Sequence, residues 1–160
     1  GPEDQLIAFA KDKEGKLVFN ARYNNYDTIT RPYNYDSIAG INYTVDVSQP
    51  AGSRIAIISM ADGSAFDLAK TYSVAINSYR GSGGGGHLTK GVGLPAVDLQ
   101  KLKFVTSSTT KDLRFYMLKW FEKQTGPIEV KSDNNWKVLP EDWAAAGKAN
   151  SYPMMYPPKK

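Results

Sequence analysis

The stretch "INYTVDVSQPAGSRIAIISM" (Ile41–Met60) holds the clearest structural pattern in this 160-residue chain. Ile41, Tyr43, Val45 and Val47 alternate with Asn42, Thr44 and Asp46, so one set faces a core and the other faces water, as in a half-buried strand. "QPAG" (Gln49–Gly52) turns the chain, and Arg54–Met60 reads as a second strand. "ADG" (Ala61–Gly63) marks another turn. A third strand is expected over Thr71–Tyr79, with Tyr72, Val74 and Ile76 on one face, leading into the glycine run Gly83–Gly86.

Upstream, Gln5–Ala10 and Lys16–Asn20 flank Asp12–Gly15 as a hairpin. Arg22–Gly40, rich in Tyr, Asn and Asp, has no sustained period and reads as an ordered, aromatic loop. Downstream, Ala96–Lys103 fits a short helix and Thr109–Gln124 a longer one. In the latter, Leu113, Tyr116, Met117, Trp120 and Phe121 form one apolar stripe, expected in the core. Ser108 or Thr109 would cap its start and Gly126-Pro127 would end it. Ile128–Lys131 reads as a brief strand, Asn134–Pro140 as an extended piece, and the Pro-rich end from Tyr152 as a tail on the surface or frayed. The expected fold class is α+β, a mixed, mainly antiparallel sheet with one long packed helix.

Composition narrows the function. An apolar content of 41% with mixed charge describes a folded chain of one-domain size. No apolar run approaches the roughly 20 residues that span a bilayer. The net charge of +4 is scattered rather than clustered, which reads as a solvated surface and not a nucleic-acid face. With no cysteine and one histidine, thiolate zinc sites are excluded and a self-contained metal hydrolase centre is hard to build. The opening Gly1-Pro2 reads as a cloning scar left by protease cleavage, with the folded part expected over residues 3–160.

The histidine, His87, follows the glycine run in "NSYRGSGGGGHLTKG" (Asn77–Gly91). A G-x-G-x-x-G match there carries little, because any glycine run satisfies it and "HLTKGVGLP" is a poor helix opening. The phosphate-binding G-x-x-x-x-G-K-[ST] is absent, since Lys90 precedes Gly91. A linker would join two foldable units, and a catalytic base needs a firmer mounting than glycine provides. Two readings stay open on the residues alone: a tight turn with His87 exposed, or a loop shaped for close approach of a flat ligand, with His87 and the Tyr-rich loop offering rings to stack.

As an ordered set, "YNYDSIAGINYTVDVSQPAGSRI" (Tyr33–Ile55), "TYSVAINSYRGSGGGG" (Thr71–Gly86) and "NNWKVLP" (Asn134–Pro140) resemble the C-terminal domain of the 5′-nucleotidase family. That family includes the UDP-sugar hydrolases and the 2′,3′-cyclic-nucleotide 2′-phosphodiesterases. The similarity runs from about Lys16 to Trp143. It implies a nucleoside-binding domain that sandwiches the base between two aromatic rings, beside an N-terminal metallophosphatase domain holding two divalent metals. The position matching the first ring is Tyr35, with Tyr33 as the fallback; the second is His87, with Gly83, Gly84, Gly85 and Gly86 as the close-approach wall.

Two departures accompany the resemblance. The second ring is usually Phe, and the acidic residue that follows it in some relatives is replaced here by Leu88, Thr89, Lys90 and Gly91. The family's Asn-x-Gly-Gly-Ile-Arg type motif does not occur before Tyr33, and no Asp-x-His or Asn-His-Glu metal motif occurs at all. The resemblance therefore implies a partial, N-terminally truncated domain without its catalytic partner. That fragment would have no catalytic or metal-binding residues, would not hydrolyse alone, and would come from a periplasmic or extracellular protein. Its partners would be a nucleotide or nucleoside and the metallophosphatase domain of the parent chain, with no nucleic-acid polymer and no membrane span. The alternative is a non-enzymatic saccharide- or protein-binding module.

Overall fold

The computed structural model describes residues 8–101 and 104–158. In chain order its elements are β1 (Phe19–Asn20), β2 (Asn25–Tyr26), a 3-10 turn (Pro32–Asn34), β3 (Ile41–Asp46), β4 (Ile55–Met60), α1 (Ser78–Gly81), α2 (Ala96–Gln100), α3 (Leu113–Phe121), β5 (Trp136–Leu139) and α4 (Glu141–Met155). The fold is α+β. Two compact units form: one from the segments before Ala69 and after Lys131, the other from Ala69–Lys131.

The first unit is organised by the alternating stretch. β3 is the central strand, antiparallel to β4 and parallel to β5. A bulge between Asn42 and Tyr43 breaks the β3–β4 register, and Asn42 Nδ2 spans it by donating to Ser59 Oγ at 2.9 Å and to the Met60 carbonyl at 3.0 Å. Tyr43 is buried and stacks on Trp136, its partner in β5, at 5.9 Å and an interplanar angle of 9°. The expected turns are in place: Asp46 accepts from Ser48 ahead of Pro50, and Asp62 accepts from Ser64 around Gly63, whose φ is 85°.

The expected N-terminal hairpin is present where it is described. Lys11 bridges Leu17 around the turn that Asp12 closes with Lys16 and Gly15, while Gln5–Ile7 lie outside the described residues. The 8–12 segment pairs on its other side too, since Ala10 donates to the Asp27 carbonyl and Phe9 bridges Thr28. Phe9 is buried there.

Four expectations are corrected. No strand runs through 71–79: Asn77 Oδ1 accepts from the Arg80 amide at 2.8 Å, which caps α1 and starts a helical turn at Ser78. Ile128–Lys131 is not a strand either; Val130 is 97% exposed, leaving no apolar face to bury. The tail from Tyr152 belongs to α4, a helix with Glu141 and Asp142 in its first turn, which packs against β5 and β2 and buries Gly147 and Ser151.

The fourth concerns α3, shorter than 109–124 and exposed on every side. Thr109 Oγ1 donates to the Lys111 carbonyl, so Asp112 caps instead, accepting from the Phe115 amide at 2.9 Å. The stripe expected in the core lines an open apolar groove of Leu113, Tyr116, Met117, Trp120 and Phe121. Among its described residues the second unit has no strand to lay across this face. The helix expected over Ala96–Lys103 is present as α2 up to Gln100, while Leu102 and Lys103 lie outside the described residues.

Candidate functional site

Tyr33 and Tyr35 belong to the first unit. Arg31 precedes a proline, which favours extended backbone, and Pro32 then opens the 3-10 turn Pro32–Asn34. Tyr35 closes the turn by donating its N–H to the Pro32 carbonyl at 3.1 Å. Tyr33 and Tyr35 are 71% and 54% exposed, so both rings are open to a ligand. Downstream the loop is tethered. Asn135 Nδ2 donates to the carbonyls of Ile38 and Ile41 at 2.7 and 2.8 Å, and the Ile38 amide donates to the Tyr43 hydroxyl at 3.3 Å. Tyr43 of β3 and Asn135, just ahead of β5, thus hold the base of the tyrosine loop.

His87 and the glycines belong to the second unit. Gly83, Gly85 and Gly86 have φ of 97°, 76° and 79°, the left-handed region that other residues enter at a cost. His87 follows directly and opens a single wide turn in which the Val92 amide donates to the His87 carbonyl at 3.0 Å. Such i→i+5 turns are rare and recur at functional sites. His87 is half-buried, and its Nδ1 lies away from solvent. The glycines and His87, contiguous in sequence, form two successive turns, Gly84–Gly86 and His87–Gly91.

Much of the close approach in this loop is internal. A Cβ on Gly84 would lie 2.5 Å from both the Tyr79 ring and the Tyr79 carbonyl oxygen, and one on Gly83 would meet Thr89 and Leu99 at 3.2 and 3.4 Å. Leu99, 2% exposed, anchors α2 at that point. Sequence reasoning missed Tyr79 and Arg80, which hold the loop. The signal was Asn77 three residues before Arg80, the spacing of a helix cap.

Among the described residues, no group of three or more His, Cys, Asp or Glu side chains is placed to hold a metal ion, and no helix is long and apolar enough to cross a membrane. The first unit offers exposed phenol rings, and the second a half-buried imidazole beside a glycine-lined turn.

Residues 13–90 match the family described as 5′-nucleotidase, C-terminal domain. The chain is 33% identical over 124 residues to the trifunctional nucleotide phosphoesterase protein YfkN of Bacillus subtilis, covering 69% of this chain and 8% of that protein. It is 30% identical over 125 residues to a 2′,3′-cyclic-nucleotide 2′-phosphodiesterase/3′-nucleotidase of Salmonella typhimurium, covering 69% of this chain and 18% of the relative. A relative of the same description from Yersinia enterocolitica is 28% identical, again with 18% of its length covered. No solved structure gives a significant match. Residues 13–90 belong to the 5′-nucleotidase C-terminal domain family, and the part of the chain matched to these relatives spans less than a fifth of their length.

Proposed function

We propose that this chain is the nucleoside-binding part of a nucleotide phosphohydrolase, with Tyr35 and His87 each offering a ring to the base, Tyr33 in reserve and Gly83–Gly86 keeping the approach open. One observation carries the reading: the family match over 13–90 contains every one of these residues. The exposure of the Tyr35 ring and the placement of His87 at the exit of the glycine turn are consistent with it.

The parent activity follows the relatives' descriptions, phosphoester hydrolysis on nucleotides of the 5′-nucleotidase or 2′,3′-cyclic type. The two divalent metals of that chemistry do not fit the described residues of this chain, which gather no ligand set. They are assigned to a separate metallophosphatase domain of a periplasmic or extracellular parent.

The test is a calorimetric titration of the 160-residue chain with adenosine, uridine and a neutral sugar. The expected result is binding of a nucleoside, weakened about fivefold or more in Tyr35→Ala and in His87→Ala, since a base–ring stack contributes about 1–3 kcal/mol. Exposed tyrosines also suit a saccharide. Preference for the sugar, or indifference to both substitutions, would overturn the nucleoside reading.

A further inference from the structure

Among the described residues Arg80 is the one buried charged side chain, 7% exposed. A guanidinium is withdrawn from water at a cost unless its donors and its flat face are used. Both are used here. Nη1 donates to the Gly84 carbonyl at 3.2 Å, and the guanidinium carbon lies 5.3 Å from the centroid of the Tyr79 ring. That same ring covers the Cα of Gly84 so closely that a Cβ would stand 2.5 Å from Cε2 and 2.6 Å from Cδ2. Gly84 is held from two sides, by its carbonyl and by its Cα. The holding residues are themselves fixed: the Arg80 amide donates to Asn77 Oδ1 at 2.8 Å, and Ser82 Oγ donates to the Tyr79 carbonyl at 3.1 Å.

We propose that Tyr79 and Arg80 form a clasp on Gly84 that positions His87, making Arg80 a positioning residue of the loop. Gly85 and Gly86 both have positive φ and lie between the clasp and His87. Two successive glycines have more conformational freedom than any other pair, so the ring's placement depends on an anchor before them. The clasp supplies that anchor. Its consequence for ligand affinity rests on the nucleoside-binding reading; its consequence for His87 does not.

The chain has a single histidine, so one imidazole signal reports on the loop by NMR. The comparison uses the isotope-labelled 160-residue chain as wild type, Arg80→Met, Tyr79→Ala and Tyr79→Phe. Arg80→Met and Tyr79→Ala are expected to shift the His87 ring signals and the Gly84–Gly86 amides, and to speed exchange at the Gly86 and Val92 amides about tenfold. Tyr79→Phe, which keeps the ring, leaves them in place. Unmoved His87 and glycine signals in both disruptive variants would overturn the clasp. So would general loss of the 69–131 signals, α3 included, which would make Arg80 a determinant of the whole unit. Titration with adenosine adds a separate arm: about tenfold weaker binding is expected for Arg80→Met. If the wild-type chain binds no nucleoside, the functional reading fails while the NMR comparison still decides the clasp. If it binds and Arg80→Met binds equally well, the positioning role is overturned.

Discussion

At the scale of single residues, two kinds of glycine share one run. Gly85 is needed for its backbone angle, 76°, whereas Gly84 is needed for the space its missing Cβ leaves to Tyr79. Alanine therefore fails differently at each. Gly85→Ala should cost about 1–2 kcal/mol, the strain of a left-handed non-glycine residue. Gly84→Ala should cost more, because one of the two atoms at 2.5 Å is the Tyr79 carbonyl oxygen and cannot swing aside. Urea midpoints of the two variants would check the order, and equal destabilisation would contradict the packing described. A second prediction concerns acid. Asp46 and Asp62 are held below the usual aspartate range, chiefly by the hydroxyls of Ser48 and Ser64 and then by those residues' amides. A depressed carboxyl pKa contributes stability above its unfolded value, near 4, that is lost as pH falls through the lower folded value. The Ser48 and Ser64 amide signals should accordingly move with pH about a midpoint below that of an unperturbed aspartate. Movement centred well above pH 4 would contradict the assigned bonds.

At the scale of elements, the contrast is between β3 and α3, both apolar-striped in sequence and oppositely placed. Tyr43 is buried against Trp136, so Tyr43→Ala should cost about 3–5 kcal/mol, as for other large aromatic truncations in a core. Met117 is 49% exposed on α3, and Met117→Ala should stay within about 0.5 kcal/mol. Thermal or denaturant unfolding of both variants checks this, and a loss of several kcal/mol at Met117 would show α3 to be packed. The same contrast explains what could be read from the sequence. Alternation with a turn at Gln49–Gly52 located β3 and β4, because a two-residue period and a turn are local signals. The helical stripe located α3 but not its partner, since periodicity says which face is apolar and not whether another element covers it. Val74 and Ile76 alternate like a strand, yet Asn77 caps a helix two residues short of the expected end, a local hydrogen bond overriding the pattern. α4 escaped notice because Trp143 and three alanines, followed by Gly147 and Pro153, carry no clear apolar period. The glycine run and the lone histidine are legible from composition; Tyr79 and Arg80 are signalled only by the Asn77 cap spacing, which does not show that Arg80 reaches the Gly84 carbonyl.

At the scale of the whole molecule, the distribution of chemistry matters more than any one residue. The chain carries ring-bearing loops in both compact units and a family match that runs through both, over 13–90. It carries no cluster of metal-capable side chains among its described residues, and its matched part covers 8% and 18% of the two most identical relatives reported above. Phosphoester hydrolysis of the kind those relatives are described by needs a nucleophile made potent at neutral pH, commonly water on a divalent ion. On the proposed reading the exposed phenols and the imidazole hold the base, while the described residues gather no ligand set for that ion. Binding and turnover should therefore separate in this chain. Incubated with a 2′,3′-cyclic nucleotide and added manganese, the 160-residue chain is expected to release neither a nucleoside monophosphate nor inorganic phosphate above the buffer rate. It should nonetheless quench or shift its own tyrosine and tryptophan fluorescence on adding nucleoside. Metal-dependent product release that disappears in Tyr35→Ala would show that the chain carries the reaction centre itself, and would move the assignment from a binding domain to an enzyme.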